Sequence, residues 1–379
     1  MIMTKNINPF ITSGKIPAEY FCDRVEESIQ LEKALTNQLN VVLTSARRMG
    51  KTSLVDYVFD KESIQQEYLT VVVDILHTTT LREFIRVLGM AVFDTVATRS
   101  EKARKLFATL LKSLSASFGY DPIQNLPTFD IKLGDIQQPE YTLREIFAYL
   151  EQVDRRVLVV IDEFQQIVYY PEKNVEALLR THIQKLANAN FVFSGSQRRL
   201  MEEMFCSSKR PFYQSAKVMR LDAIPADVYL EFATRHFVEN GKGIGKDAFS
   251  LIYETFSGVT FHVQRILKDA YTETPVGETC DMECVRQLIE NYVDENDTRL
   301  REQLAFISEP QKALLYAIHA DGQAWGITSA AFNKKHHLHS PSSTQSAAAK
   351  LLEYDLISCK EKTYFISDPL LNLWLSRRK

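Results

Sequence analysis

The chain has 379 residues, 45% hydrophobic and 25% charged, which is ordinary for a globular protein of two or three domains that needs no covalent cross-links. Its 45 basic side chains nearly balance 48 acidic ones, which excludes a global positive field that would draw the whole protein to nucleic acid. The five cysteines are scattered, and Cys280 and Cys284 have no second Cys/His pair at zinc-ligand spacing, so free thiols are predicted rather than a metal site. The sequence has no apolar leader and no apolar run of roughly 18 residues, which predicts a cytoplasmic protein outside the membrane.

Strand and helix patterns alternate through the first 222 residues. Ile29, Leu31 and Leu35 have helical spacing, and the apolar run NVVLTS is typical of a buried strand. TSLVDYVFD then predicts a helix and EYLTVVVDI a second strand, and such alternation implies a parallel sheet. The later predicted elements are two helices over 81–118, a loop or hairpin inserted over 119–141, helices near 142–152 and 175–189, and the strands RVLVVID, NFVFSGS and KVMRLD.

The remainder of the chain is predicted to be mostly helical. AFSLIYETF and HVQRILKDAY have apolar residues three and four apart, which indicates a helical subdomain over 223–300. Residues 301–379 contain three helical patterns and then the predicted hairpin SCKEKTYFIS, the order of a winged helix. The expected fold is therefore an α/β P-loop domain over 1–222, with a parallel sheet flanked by helices, then a helical lid and a winged-helix-like domain.

A phosphate-binding loop lies between the first predicted strand and its helix. The general form is G-x-x-x-x-G-K-S/T, because backbone N–H groups and a helix N-terminus cradle phosphates while the lysine neutralises their charge. Residues 45–52 read SARRMGKT and depart from this form only at Ser45, which replaces the first glycine. The predicted nucleotide contacts are Ser45, Ala46, Arg47, Arg48, Met49, Gly50, Lys51, Thr52 and Ser53, and Thr52 is also a predicted Mg²⁺ ligand. A chance turn with a solvated lysine is the alternative.

Two adjacent acids follow a second apolar strand in RVLVVIDEF. Asp162 is predicted to hold Mg²⁺ and Glu163 to polarise the water that attacks the γ-phosphate of ATP. Alternatively, the two acids only end a strand and begin a helix, whose dipole favours carboxylates. Both motifs occur in the expected order at strand ends, where open parallel sheets bind ligands, and this favours the functional interpretation.

A third strand ends in Ser194-Gly195-Ser196. Ser196 is the predicted catalytic hydroxyl, which orients water or contacts the γ-phosphate, and Ser194 is the alternative residue for this role. In the non-functional alternative, these serines only form a turn after the strand. Arg198 and Arg199 either supply positive charge to the transferring phosphoryl group or form a solvated helix start.

These residues resemble the STAND branch of AAA-like P-loop ATPases, in particular its prokaryotic and archaeal ATPase family, whose loop commonly reads Gly-Pro-Arg-Arg-x-Gly-Lys-Thr-Ser-Leu. The likeness lies in SARRMGKTSL, YFCDRVEESIQL and FSGSQRRLMEEMF and spans most of residues 8–270. It implies that Asp23 and Arg24 lie beside the adenine. The turn SGVTFH resembles the family's nucleotide-sensing turn and implies that His262 approaches the phosphates, with a structural histidine as the alternative. Gln214 and Ser215 stand where the family often has Gly-Arg, which leaves no arginine assigned there.

The winged-helix-like domain has a basic surface but no base-reading arginine. Its third helix contains Ser342, Thr344 and Lys350 without an arginine fork for guanine. The residues that would neutralise phosphates are Lys334, Lys335, His336, His337, His339, Lys360, Lys362, Arg377, Arg378 and Lys379. A protein-docking module or a solvated basic surface is the alternative.

The predicted function is a nucleotide-driven switch that binds ATP and Mg²⁺ and hydrolyses ATP slowly until a partner or another subunit completes the site. Its expected partners are DNA or a protein at the winged helix, and a second copy in a nucleotide-dependent homo-oligomer. The alternatives are a non-hydrolysing nucleotide-binding regulator and a kinase, although no acceptor site is visible for the latter.

Overall fold

The computed structural model describes residues 8–121 and 126–377, which form two compact units. We call residues 24–222 the sheet unit. The described residues up to Asp23, together with those from Ala223 onward, form the helical unit. This division differs from the predicted domain over 1–222 because the N-terminal segment packs with the helices: Phe10 is fully buried in their core, and its ring lies against Phe232 and Tyr271.

The sheet unit alternates strands and helices as predicted. Its strands are β1 (Val41–Thr44), β2 (Tyr68–Asp74), β3 (Phe118–Asp121), β4 (Leu126–Phe129), β5 (Arg156–Asp162), β6 (Ala189–Gly195) and β7 (Lys217–Arg220). Its helices are α1 (Val25–Thr36), α2 (Lys51–Phe59), α3 (Glu62–Glu67), α4 (Leu81–Thr95), α5 (Glu101–Leu110), α6 (Pro139–Gln152), α7 (Val175–Ile183) and α8 (Arg198–Cys206).

Five of these strands form one parallel sheet in the order β2-β5-β6-β1-β7. Every residue of β1 and β6 is buried, as expected for parallel strands covered on both faces. Because all five strands run the same way, the carboxyl ends of β1, β5 and β6 lie side by side at one edge of the sheet. The predicted α/β fold is confirmed.

Three local details either differ from the predictions or decide between predicted alternatives. The insertion forms the antiparallel hairpin β3–β4, whose residues 122–125 lie outside the described part of the chain. Helix α7 ends at Ile183, short of the predicted 189, and the turn that follows is tied to the end of α6 by Asn188, whose side chain donates to the carbonyls of Leu150 and Val153. Ile29 was expected on the apolar face of α1 but is 54% exposed, whereas Leu31, Ala34 and Leu35 are buried.

The helical unit contains the predicted helical subdomain and winged helix. Its helices are α9 (Ala226–Glu239), α10 (Lys246–Thr255), α11 (Thr260–Glu273), α12 (Met282–Glu295), α13 (Asp297–Ala305), α14 (Glu309–Asp321), α15 (Ala330–Lys335), α16 (Pro341–Glu353) and α17 (Pro369–Ser376). Its strands are β8 (Gly243–Ile244), β9 (Thr279–Cys280), β10 (Ala324–Trp325), β11 (Ile357–Lys360) and β12 (Thr363–Ile366).

The winged helix is built from α14 to α16 and an antiparallel sheet of order β10-β12-β11. The hairpin β11–β12 was predicted, whereas β10 adds a third strand. The buried residues of α9–α12 and of the winged helix belong to one contiguous core that includes Phe249, Leu315 and Trp374. None of the described helices in either unit is both long enough and apolar enough to cross a bilayer.

Candidate nucleotide site

The loop between β1 and α2 has two residues in the left-handed backbone region. Gly50 caps α2 with φ +86°, a conformation that glycine adopts without steric cost. Arg48 has φ +65°, which costs a residue with a side chain about 1 kcal/mol or more, so neighbouring groups must hold it there. Ser45 is not among the positive-φ residues of the described chain, which explains how a serine replaces the first glycine.

Lys51, the predicted phosphate ligand, is the first residue of α2 and only 7% exposed. Its Nζ donates to Ser45 Oγ at 3.0 Å, and that hydroxyl donates to the Ala46 carbonyl at 2.6 Å. The serine at the glycine position therefore holds the ammonium group across the loop. Ala46 and Arg47 are exposed, Met49 is buried and Ser53 is half-buried.

Thr52 and Asp162, the predicted Mg²⁺ ligands, are brought together from two separate strand ends. Thr52 lies in the first turn of α2, and Asp162 is the last residue of β5. Thr52 Oγ1 donates to Asp162 Oδ2 at 3.3 Å. A hydroxyl and a carboxylate at this distance are hard oxygen donors of the kind Mg²⁺ prefers, so these residues fit the ion.

Glu163 and Ser196, the predicted catalytic residues, are in direct contact. Ser196 Oγ donates to Glu163 Oε2 at 2.8 Å, whereas Ser194 Oγ is buried without a partner among the described residues. The Gln165 amide Nε2 donates to the same oxygen of Glu163. Gln165 is 2% exposed, and the sequence offered no signal for it because a glutamine two residues after an acid matches no motif.

Arg24 and Asp23, predicted to lie beside the adenine, fall in different units. Arg24 is 4% exposed, and its Nη2 donates to the Met49 carbonyl at 3.1 Å, so it contacts the phosphate-loop backbone. Their contact with adenine stays a prediction.

His262 lies in the helical unit and is fully buried. Nδ1 is 2.9 Å from the Tyr292 hydroxyl and Nε2 is 3.0 Å from Asp368 Oδ1. Its ring also stacks on Phe256. These contacts favour the structural alternative, and the approach of His262 to phosphates stays a prediction.

Arg198, the first arginine after β6, is engaged on the surface. Arg198 Nε contacts Glu202 at 3.3 Å, and the Arg220 Nε donates to the same carboxylate oxygen at 2.9 Å. Both arginines are more than a third exposed, so these ion pairs contribute little to stability. A role in phosphoryl transfer for Arg198 or Arg199 stays a prediction.

Part of the basic surface of the winged helix is neutralised internally. Lys335 Nζ lies 2.7 Å and His336 Nε2 3.2 Å from the Asp321 carboxylate. The hydrogen bond from Lys335 holds the pKa of Asp321 below its usual range. Lys350 is paired with Glu353 at 2.8 Å. Lys334, His337, His339, Lys360 and Lys362 are exposed, while Arg378 and Lys379 lie outside the described residues.

Comparison with known proteins fits this architecture. A probable winged helix domain family matches residues 299–377, and no curated protein matches the chain. Among solved structures, a Walker-type ATPase of Pyrococcus abyssi is 19% identical with a TM-score of 0.68, over 97% of this chain and 99% of that one. The ORC2 protein of Aeropyrum pernix, in ADPNP–ADP complexes, is 14% identical with a TM-score of 0.60, over 98% and 97%.

The Aeropyrum pernix ORC1 protein in complex with DNA is 13% identical with a TM-score of 0.51, over 94% of this chain and 93% of that one. At such identities the likenesses show the fold, a P-loop ATPase domain followed by a winged helix. The family described as an ATPase domain predominantly from Archaea matches residues 21–266, which is more than half of the chain. The protein therefore belongs to this archaeal-type ATPase family.

Proposed function

We propose that the protein is a Mg²⁺-dependent ATPase of the STAND branch that acts as a nucleotide-driven switch. One observation carries the proposal. At the carboxyl edge of the sheet, Thr52 is bonded to Asp162, and Ser196 is bonded to Glu163, the residue beside Asp162. This groups phosphate-binding, metal-binding and water-activating side chains from three neighbouring strand ends.

Each side chain has a role that its chemistry supports. Lys51 and the first N–H groups of α2 bind phosphate oxygens, and Thr52 and Asp162 hold Mg²⁺. The ion, when bound, offsets the negative charge of the phosphates. Glu163 accepts the proton of the attacking water, and the Ser196 hydroxyl orients the carboxylate.

Slow hydrolysis is expected from the same geometry. Glu163 Oε2 already accepts hydrogen bonds from both Ser196 and Gln165, and Arg198 is paired with Glu202. The two hydrogen bonds hold the base in position, but no arginine is assigned to the phosphoryl group, so the site is expected to turn over slowly until a partner or a second copy supplies one. The engagement of Arg198 by Glu202 also favours the second candidate, a regulator that binds nucleotide without hydrolysing it.

Phosphate release and nucleotide binding by two variants distinguish these candidates. Lys51→Ala is expected to lose ATP binding, whereas Glu163→Gln is expected to bind ATP normally and to lose about 100-fold or more in turnover. Glu67→Gln is the matched control, because Glu67 is exposed and precedes β2 at the opposite edge of the sheet. Undetectable phosphate release by both the wild type and Glu163→Gln would establish the non-hydrolysing regulator, and a phosphorylated product instead of free phosphate would indicate a kinase.

The winged helix is proposed to link the switch to DNA or to a protein partner. The ORC1 relative was solved with DNA, and Lys334, Lys360 and Lys362 supply exposed positive charge. The third helix lacks an arginine, so DNA binding would be independent of base sequence. ATP turnover with and without duplex DNA over a salt series tests this, because a phosphate-driven effect weakens as salt rises. Indifference to DNA would favour a protein partner.

Two further proposals complete the function: a cytoplasmic location, and homo-oligomers that form with nucleotide. Sedimentation of the protein with and without ATP tests the second. An unchanged molar mass at micromolar concentration would count against it.

A further inference from the structure

Arg24 lies where the chain enters the sheet unit, and its side chain contacts the residue where the chain leaves that unit. The chain enters the sheet unit at Asp23–Arg24 and leaves it at Asp222–Ala223. Arg24 is thus the first residue of the sheet unit, and its Nη1 donates to the Asp222 carbonyl, in the last residue of that unit, at 2.7 Å. One guanidinium group therefore joins the entry and the exit of the chain.

The same guanidinium also holds the phosphate-binding loop. Nη2 donates to the Met49 carbonyl at 3.1 Å, and Nη1 also contacts Glu27 Oε1 at 2.9 Å. Only a planar group with several fixed N–H donors can serve these acceptors together. Because Arg24 is 4% exposed, its loss would leave backbone carbonyls without their charged partner in a buried setting.

The contact at Met49 has a direct consequence for phosphate binding. In a trans peptide the C=O and the next N–H point in opposite directions, so anchoring the Met49 carbonyl also orients the Gly50 N–H. Met49 lies between two residues of positive φ, Arg48 at +65° and Gly50 at +86°. A loop with a left-handed arginine keeps this shape only where surrounding groups hold it.

We propose that Arg24 is a positioning residue that fixes the phosphate-binding loop and couples its conformation to the chain segment that leaves the sheet unit at Asp222. Nucleotide bound at Gly50 would restrain the Met49–Gly50 peptide, and Arg24 would pass that restraint to Asp222. This role differs from adenine contact, and it rests on the proposed nucleotide function.

Three variants and two measurements test the coupling. Arg24→Ala removes all three contacts, and Arg24→Lys keeps the charge but cannot reach both carbonyls. Arg155→Ala is the matched control, since Arg155 also donates to backbone carbonyls, those of Gln65 and Tyr68, at the opposite edge of the sheet. The measurements are the Kd for a non-hydrolysable ATP analogue with Mg²⁺, and amide hydrogen exchange with and without that analogue.

In the wild type and in Arg155→Ala, the analogue is expected to slow exchange both at residues 49–52 and at residues 221–224. Arg24→Ala is expected to bind about tenfold more weakly or worse. Arg24→Lys should bind with intermediate affinity. Both Arg24 variants should lose the response at 221–224, even at analogue concentrations that saturate the loop.

Wild-type affinity together with a wild-type response at 221–224 in Arg24→Lys would overturn the proposal. So would a lower melting temperature of that variant without a change in affinity or response, because that result indicates a structural role only. Arg24→Lys decides the matter if Arg24→Ala does not fold. Failure of the wild type to bind the analogue would instead refute the proposed function, and the coupling with it.

Discussion

Gly195, the last residue of β6, is packed against the glutamine that holds Glu163. A Cβ atom built at Gly195 would lie 2.3 Å from Gln165 Oε1 and 2.7 Å from Met201 Cγ and Sδ. The methionine can turn away, but Gln165 is buried and bonded to Glu163. Gly195→Ala is therefore expected to displace the Gln165 amide and to weaken the hold on the predicted catalytic carboxylate.

The expected effects have two separate magnitudes. Overpacking of this kind costs about 1–3 kcal/mol of unfolding free energy, which for a unit of this size lowers Tm by about 2–12 °C. Displacement of Glu163 is expected to lower kcat on the order of 10- to 100-fold, because catalytic groups tolerate shifts of about 1 Å poorly. ATP affinity should change little, since no residue of the phosphate loop is touched.

Thermal unfolding, ATP binding and phosphate release of Gly195→Ala measure these effects. Gly134→Ala is the control, because a Cβ at Gly134 meets no atom within 4 Å and its stability should stay within about 0.5 kcal/mol of the wild type. Unchanged turnover in Gly195→Ala would show that the Gln165 contact does not position Glu163. Wild-type stability would show that the strand end yields to the extra methyl group.

Three smaller effects are expected. The Thr344 hydroxyl donates to buried Asn333 Oδ1 at 2.6 Å. Thr344→Val should therefore lower the unfolding free energy of the helical unit by about 1–3 kcal/mol in urea titrations, and an unchanged unfolding midpoint contradicts this. Burial raises the pKa of Cys280 to about 12, whereas Cys206 is exposed. Iodoacetamide at pH 8 should therefore alkylate Cys206 before Cys280, which peptide mass spectrometry measures. Faster labelling of Cys280 contradicts this. Burial lowers the pKa of His182 below its unfolded value near 6.5. The stability that depends on a neutral His182 is therefore complete above that pH and is lost as the pH falls below it. His182→Phe should flatten the dependence of the unfolding free energy on pH between pH 5 and 7 in urea titrations, and an equally steep dependence contradicts this.

The sheet was predictable because its strands are apolar runs that end in polar residues. RVLVVID and NFVFSGS place five or more buried side chains in succession, and only a strand covered on both faces needs that pattern. The strands β8, β9 and β10 were missed because each has only two residues, too few to show a period. The packing of Phe10 against Phe232 was not predicted, because nothing in local sequence shows a contact of that range.

The placement of the candidate site residues was predictable only where they follow one another along the chain in a motif. Lys51, Thr52 and the two acids lie at fixed positions after apolar strands. Arg24 differs, because its partner Met49 is 25 residues away and Asp222 is 198 residues away. The resemblance drew attention to Arg24 but implied an adenine contact, whereas the side chain reaches the backbone of the loop. Supporting contacts of this kind appear only when the tertiary structure is known.

The position of Gln165 suggests where turnover is controlled. Glu163 is itself in the left-handed region, at φ +55°, so the turn after β5 presents its carboxylate in a conformation that needs outside support. That support comes from Gln165 in the same turn and from Ser196 at the end of β6. A partner that shifts the end of β6 would therefore move Glu163, the proposed water-activating group, without touching Lys51 or Thr52. Under the proposed function, binding and hydrolysis of nucleotide could then be regulated separately, as a switch requires.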